Sequence, residues 1–327
     1  MTTFTDNHTP LHHTPLRMSR FYKTPLTAAA LVLLSACAET VYTFQDFHDD
    51  GTSSNAQIYK TGGGGPTNLS NNAHYDTSAD VRHDGEKIVF RSVRGGVDGH
   101  LYTMDMDGSN QTVIPNTLSA GAPRWSKFTD SSIIYFTNDI HTATEEIWRI
   151  DTDGSDKVQI TFPSANRSDE LAEDIDGKHI IYQRYDRDTR DRDLYVKYVW
   201  DDRPEQRMTN TPDISESLPV ASHDGSMVAY RAFHGAGVDD QIIVAQFTGA
   251  GLMTLHTINP DMPVNTNISG IDFSPNDAGI YFSAQADDSA INPINRRQEL
   301  FYINLDGTAQ VRLTDNTDSD TYPSTVP

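Results

Sequence analysis

Two runs of closely spaced oxygen ligands stand out in the 327-residue chain, Asp105-x-Asp107-Gly108-Ser109-Asn110 and Asp151-x-Asp153-Gly154-Ser155-Asp156. Carboxylates two residues apart before a glycine open calcium loops of the EF-hand type. Such a loop needs a bidentate Glu at its twelfth position and a helix on either side, and neither run supplies them. A hairpin turn with Asp-Gly at its corner accounts for the same residues, so no cofactor is assigned and calcium stands as the weaker alternative. Nine histidines follow residue 37, and none forms His-x-His or His-Glu-x-x-His, spacings that bring two imidazoles to one metal, so no metal site is assigned. His83 and His223 both precede Asp-Gly, which marks a repeated structural role. His74, His100, His141 and His234 lie in or beside longer connections and could converge if those connections do. Nucleophile motifs are absent: there is no Gly-x-Ser-x-Gly, and Cys37 is the single cysteine. Asp76, Glu216 and Asp320 each stand three residues before Ala79, Pro219 and Pro323, equivalent places in a repeated unit. There they either ring an opening with negative charge or cap a strand start by accepting backbone N–H groups.

Strands must position these groups. Residues 84–108 read as a hairpin: an Asp-Gly turn, an alternating strand over 87–92, a Gly-rich loop, a second alternating strand over 101–106 and another Asp-Gly turn. The second strand returns at Ile58, Leu101, Ile147, Leu194, Ile242 and Leu300, at intervals of 43, 46, 47, 48 and 58 residues. The first returns as KIVFRS, SIIYFTN, HIIYQRY, MVAYRAF and GIYFSAQ, with shorter strands before and after each hairpin. Four strands per repeat at roughly 40 to 50 residues is the period of a propeller blade. One hairpin cannot bury its apolar face alone, whereas stacked copies can. The expected fold is therefore all-β: a six-bladed β-propeller of four-stranded antiparallel blades. The strand at the C-terminus joins those beginning near Val41 and Ile58 to close the ring, which removes two exposed sheet edges.

The turn and strand-end residues resemble a known family. His83-Asp84-Gly85, His223-Asp224-Gly225 and Ser274-Pro275-Asn276 before the hairpins, and Ile160-Thr161 and Leu313-Thr314 at strand ends, resemble the TolB-like propeller repeat, also called WD40-like or PD40. The resemblance covers residues 41–327 and departs from the pattern at Lys127-Phe128-Thr129-Asp130 and at Phe247-Thr248-Gly249. It extends to the propeller alone, not to the α/β domain that TolB carries before it. It implies a non-catalytic scaffold that binds an envelope protein, peptide or glycan, as TolB's propeller binds a peptidoglycan-associated lipoprotein. Some relatives are oligogalacturonate lyases with a metal and histidines in the channel, which is the alternative; gathered imidazoles would favour it.

The N-terminal residues set the compartment. Residues 1–17 are a Thr-, His- and Pro-rich extension, and Met18 is the expected functional start. Residues 18–36 combine a short basic segment, an apolar run over 26–34 and small residues, which reads as a secretory signal too short to span a bilayer. Leu34-Ser35-Ala36-Cys37 resembles a bacterial lipobox, implying cleavage before Cys37 and lipidation of its thiol. Residues 37–40 are then anchor and linker, and residues 41–327 the propeller. Ala38, rather than Asp, after the lipidated cysteine points to the outer membrane, facing the periplasm. With 25 basic and 46 acidic residues the chain carries a net charge of −21 and lacks the basic face that nucleic acid requires. Alternation of loop lengths sorts the connections onto two faces, short Asp-Gly turns on one and long loops on the other. Val41 begins on the short-turn side. Binding is therefore expected on the long-loop face, where the carboxylates and histidines above would meet a partner.

Overall fold

Alternating apolar and polar residues make strands whose inward side chains need a second sheet to cover them, and here each sheet is covered by its neighbours in a ring. The computed structural model describes residues 42–49, 54–61, 65–96, 98–127, 132–138, 144–235, 238–249, 251–262, 266–285, 297–316 and 318–325. Among them every regular element is a β-strand. The first blade holds β4 (Asp76–Val81), β5 (Lys87–Ser92), β6 (His100–Asp105) and β7 (Thr112–Val113). The second holds β8 (Ala120–Trp125), β9 (Ser132–Asn138), β10 (Glu145–Asp151) and β11 (Val158–Gln159). The third holds β12 (Arg167–Asp174), β13 (His179–Asp186), β14 (Asp191–Tyr198) and β15 (Gln206–Arg207). The fourth holds β16 (Ser215–Ala221), β17 (Met227–Phe233), β18 (Gln241–Phe247) and β19 (Leu252–Ile258). The fifth holds β20 (Ile268–Phe273), β21 (Gly279–Gln285), β22 (Gln298–Asn304) and β23 (Val311–Arg312). The sixth is made from both ends of the sheet-forming chain, in the order β24 (Ser319–Thr325), β1 (Tyr42–Asp49), β2 (Ser54–Thr61) and β3 (Thr67–Asn68). All neighbours pair antiparallel, and the closure expected from the sequence is the one observed.

The core lies in the seams between blades. Ile175, Ile181, Leu194 and Val196 of the third blade pack with Ala221, Val228 and Tyr230 of the fourth, and similar clusters fill four other seams. A hydroxyl at the end of the outer strand repeats around the ring. Ser70, Thr117, Thr161, Thr209 and Thr314 accept the backbone N–H of Ile58, Leu101, Ile147, Leu194 and Leu300 at 2.8–3.1 Å. This is the physical content of the Leu-Thr strand ends. The outer strand is only two residues long in five blades, shorter than the sequence pattern indicates, but seven in the fourth, where the hairpin after Phe247 lacks the Asp-Gly corner.

Each innermost strand is irregular at the same place. Ser78, Ala122, Leu171, Leu218 and Tyr322 adopt positive φ of 40–55°, and the pairing register shifts there. The fifth blade has Gly270, where a Cβ would come within 2.9 Å of the Tyr322 backbone of the sixth. Such bulges bend a strand and re-aim the side chains beyond it. Two residues further on stand Asp80, Arg124, Glu173, Val220, Asp272 and Ser324, one from each blade, gathered around the axis.

Candidate functional site: the central channel and the long-loop face

Inner strands start on the long-loop face and end on the short-turn face, so the six residues after the bulges meet toward the short-turn end of the channel. Arg124 donates from Nε to Glu173 Oε2 at 3.1 Å. Asp80 accepts the Trp125 backbone N–H at 2.7 Å and the Ser324 hydroxyl at 3.1 Å, and Asp272 accepts the Thr325 N–H at 2.7 Å. Beside them the ring of His223 lies 2.8 Å from Asp277 and 3.3 Å from the Thr325 hydroxyl. Lys127 donates to the Ser222 carbonyl at 2.7 Å, bridging the second and fourth blades.

Three carboxylates thus surround one guanidinium, which is bonded to Glu173 and acts on Asp80 and Asp272 through space, and burial decides their protonation. Burial pushes Glu173 up to about 8, Arg124 opposing and Asp80 reinforcing the shift. Asp272 is raised to about 6 by burial, against the pull of His223. Asp80 is raised as well, again mainly by burial. For His223 burial disfavours the imidazolium, yet the Asp277 hydrogen bond and the Asp272 charge outweigh it and the pKa rises. The cavity among these groups measures ≈ 50 Å³, space for a few water molecules and too little for a sugar or a peptide. Cross-blade hydrogen bonds here knit the ring together.

The carboxylates expected at the channel mouth are placed differently from this cluster. Asp76, Glu216 and Asp320 sit at the long-loop ends of inner strands, all essentially buried, and none lines that cavity. Each faces the outer-strand end of the preceding blade. Asp76 accepts from Asn72, and from Arg94 at 3.2 Å; Asp320 accepts from Asn316 at 2.8 Å. Glu216 is pushed up to about 7 by burial, with Thr211 and Thr209 opposing, and burial likewise raises Asp320 to about 6. A fourth member, Asp169, escapes the sequence reading although it stands three residues before Ala172, the same interval. It is fully buried and held by the Arg184 guanidinium, which also pairs with Glu205 and stacks 4.4 Å over Tyr195.

The histidines are dispersed. His74 is exposed before β4, His100 begins β6 of the same blade, and His234 contacts Gln241 at 2.9 Å in the fourth; His141 and Cys37 lie outside the described residues. Among the described residues no three His, Cys, Asp or Glu side chains gather as a metal site would require. The aspartates of the calcium-like runs serve their own turns. Asp105 accepts from Lys87 at 2.6 Å and Asn110 at 2.7 Å, while Asp107 and Asp153 accept the N–H groups of Ser109 and Ser155.

The roomier space is on the other face. Between the third and fourth blades an open cleft of ≈ 630 Å³ is bounded by the β13–β14 turn, the segment leading into β16 and the end of β17. It falls within the size range of small-ligand sites.

No protein-family profile matches the chain, and no curated protein matches it. Solved structures do. TolB from Acinetobacter baumannii superposes with a TM-score of 0.67 at 17% identity, over 88% of this chain and 67% of that one. Hydrazine synthase from Kuenenia stuttgartiensis gives 0.62 at 13% identity, over 87% and 46%, and the β-propeller domain of the Trilobed protease from Pyrococcus furiosus gives 0.53 at 11%, over 86% and 96%. One architecture therefore serves proteins with unrelated work, and at these identities the likeness concerns fold alone.

Proposed function

We propose, with the TolB-like propeller fold as premise, that this chain is a non-catalytic binding module of the bacterial cell envelope. It is tethered to the outer membrane through a lipidated Cys37 and offers its long-loop face to a protein, peptide or glycan partner. The observation that carries this reading is the division of space between the two faces. β1 begins at Tyr42 on the short-turn side, five residues after Cys37, and the channel there is filled by its own charges. The open cleft lies on the opposite side. A tether on one face and accessible volume on the other suit a scaffold that reaches away from its membrane. A lyase would need imidazoles converging on one metal, and the dispersion of His74, His100 and His234 favours binding over that chemistry.

Two experiments test the parts separately. Cys37→Ala in the full-length protein is expected to leave uncleaved precursor or to release the protein from membranes; unchanged fractionation would remove the tether. Photo-crosslinkers at Asp98 and Asp188, in long loops, are expected to capture an envelope partner in intact cells, while crosslinkers at Asp107 and Asp153, in short turns, should not. Adducts confined to the short turns would reverse the assignment of faces.

A further inference from the structure

Resting on the long-loop-face reading above, we infer that the cleft between the third and fourth blades binds a short peptide through its terminal carboxylate and ammonium groups. The charged groups around the cleft are of two kinds. Arg207 is already bound to Asp193 at 2.6 Å, and Arg192 is stacked 4.6 Å over Tyr185 with Glu170 at 3.4 Å. Arg190 and Asp213 are exposed, and among the described residues neither side chain has a partner. They come from different segments, the β13–β14 turn and the linker into β16, and both line the same cleft. A free guanidinium binds a carboxylate through two parallel N–H donors, and a free carboxylate binds an ammonium. One ligand bearing both groups satisfies the pair at once. A peptide also has amides for Asn210, Thr211 and Ser215 in the same lining. A neutral sugar leaves both charges unmatched and lacks an open aromatic platform, since the Phe233 ring carries Arg231 at 5.2 Å.

Arg190 also stands at a backbone position that glycine would favour. Arg190 closes the β13–β14 turn at φ 61°, its N–H bonded to the Asp186 carbonyl at 2.8 Å. That conformation suits glycine, and a long side chain held there is strained. Glycine at 190 would relieve the turn and remove the guanidinium together, so binding and stability should move in opposite directions.

The test is calorimetric titration of trialanine into detergent-solubilised full-length protein, beside its C-terminal amide, its N-acetyl form and the variants Arg190→Gly and Asp213→Asn. The native protein is expected to bind trialanine saturably, with the amide and the acetyl form each at least about tenfold weaker. Arg190→Gly should lose the same factor while melting about 2 °C higher, which separates lost binding from lost folding. It should also no longer distinguish trialanine from its amide. Absence of saturable heat with the native protein, or native affinity in Arg190→Gly, overturns the assignment. If crosslinks from Asp98 and Asp188 persist while trialanine fails to bind, the cleft assignment falls and the long-loop module stands; if both fail, both fall.

Discussion

Ending the chain at Asn316, so that β24 is never made, is expected to abolish cooperative folding and leave soluble aggregate in place of a monomer. β24 is the inner strand of the sixth blade and packs against β1, β4, β20, β21 and β22. It pairs along β1, its Ser324 hydroxyl accepts the Val81 N–H of β4 at 3.1 Å, and its Thr325 N–H reaches Asp272 of β20 at 2.7 Å. Its loss strips one edge of the eight-residue β1 and leaves Asp80 and Asp272 short of donors in a buried place. A long unpaired edge is a template for association, and buried acceptors without donors each cost about 1–3 kcal/mol. Size-exclusion chromatography with a circular-dichroism melt decides the matter. A monomer melting within a few degrees of the intact chain would show that closure is dispensable.

The second large effect is an unusual response to pH. Asp272 and Asp320 are raised to about 6, Glu145 and Glu216 to about 7, and Glu173 to about 8, burial leading in every case. A carboxyl raised in the folded state binds its proton more tightly there than in the unfolded chain. Stability is therefore full below the unfolded pKa, near 4, and declines as pH rises through the folded values, so the loss runs from about pH 4 to 8. His223, also raised, adds the same sign. Turn carboxylates such as Asp84, Asp224 and Asp277 are depressed and work in the opposite sense, but only as pH falls below about 4. Urea unfolding should give at least about 2 kcal/mol more stability at pH 5 than at pH 8. Arg124→Met should cost about 3–5 kcal/mol at pH 8, because it strands Asp80, Glu173 and Asp272 without their guanidinium, and distinctly less at pH 5, where protons take its place. Glu173→Gln should flatten the alkaline decline. Stability that is level or rising from pH 5 to 8 would contradict the burial of these charges.

The fold could be read from the chain because its signals are local and repeated. Alternation in KIVFRS or MVAYRAF, Asp-Gly corners and the Leu-Thr ends recur at blade spacing, and the C-terminal strand completes the blade that the strands near Val41 and Ile58 begin. The channel cluster could not be read this way. Its members, Asp80, Arg124, Glu173, Val220, Asp272 and Ser324, occupy one structural position but differ in type from blade to blade. No motif joins them; only ring closure and the strand bulges do. The reverse holds for Asp76, Glu216 and Asp320, whose shared spacing is visible but whose direction is not. Spacing places a residue on a strand, and the hydroxyls and amides of the preceding blade then determine which way its carboxylate turns. Asp169 carries the same signal, standing before Ala172 as Asp76 stands before Ala79. The cleft was hidden for a different reason: Arg190 and Asp213 belong to separate segments whose approach is a matter of loop conformation.

The closing blade also determines how the molecule bears a mechanical load. β1 is flanked on both sides, by β2 through eight consecutive residue pairs and by β24 on the axial side. Tension applied to the chain ahead of Tyr42 and directed along the strand loads these two ladders in shear, so that their hydrogen bonds resist together instead of parting one after another. Pulled from that end, the propeller would meet the force across the strongest direction of its sheet, and the seam that completes the ring would be the one to carry the load.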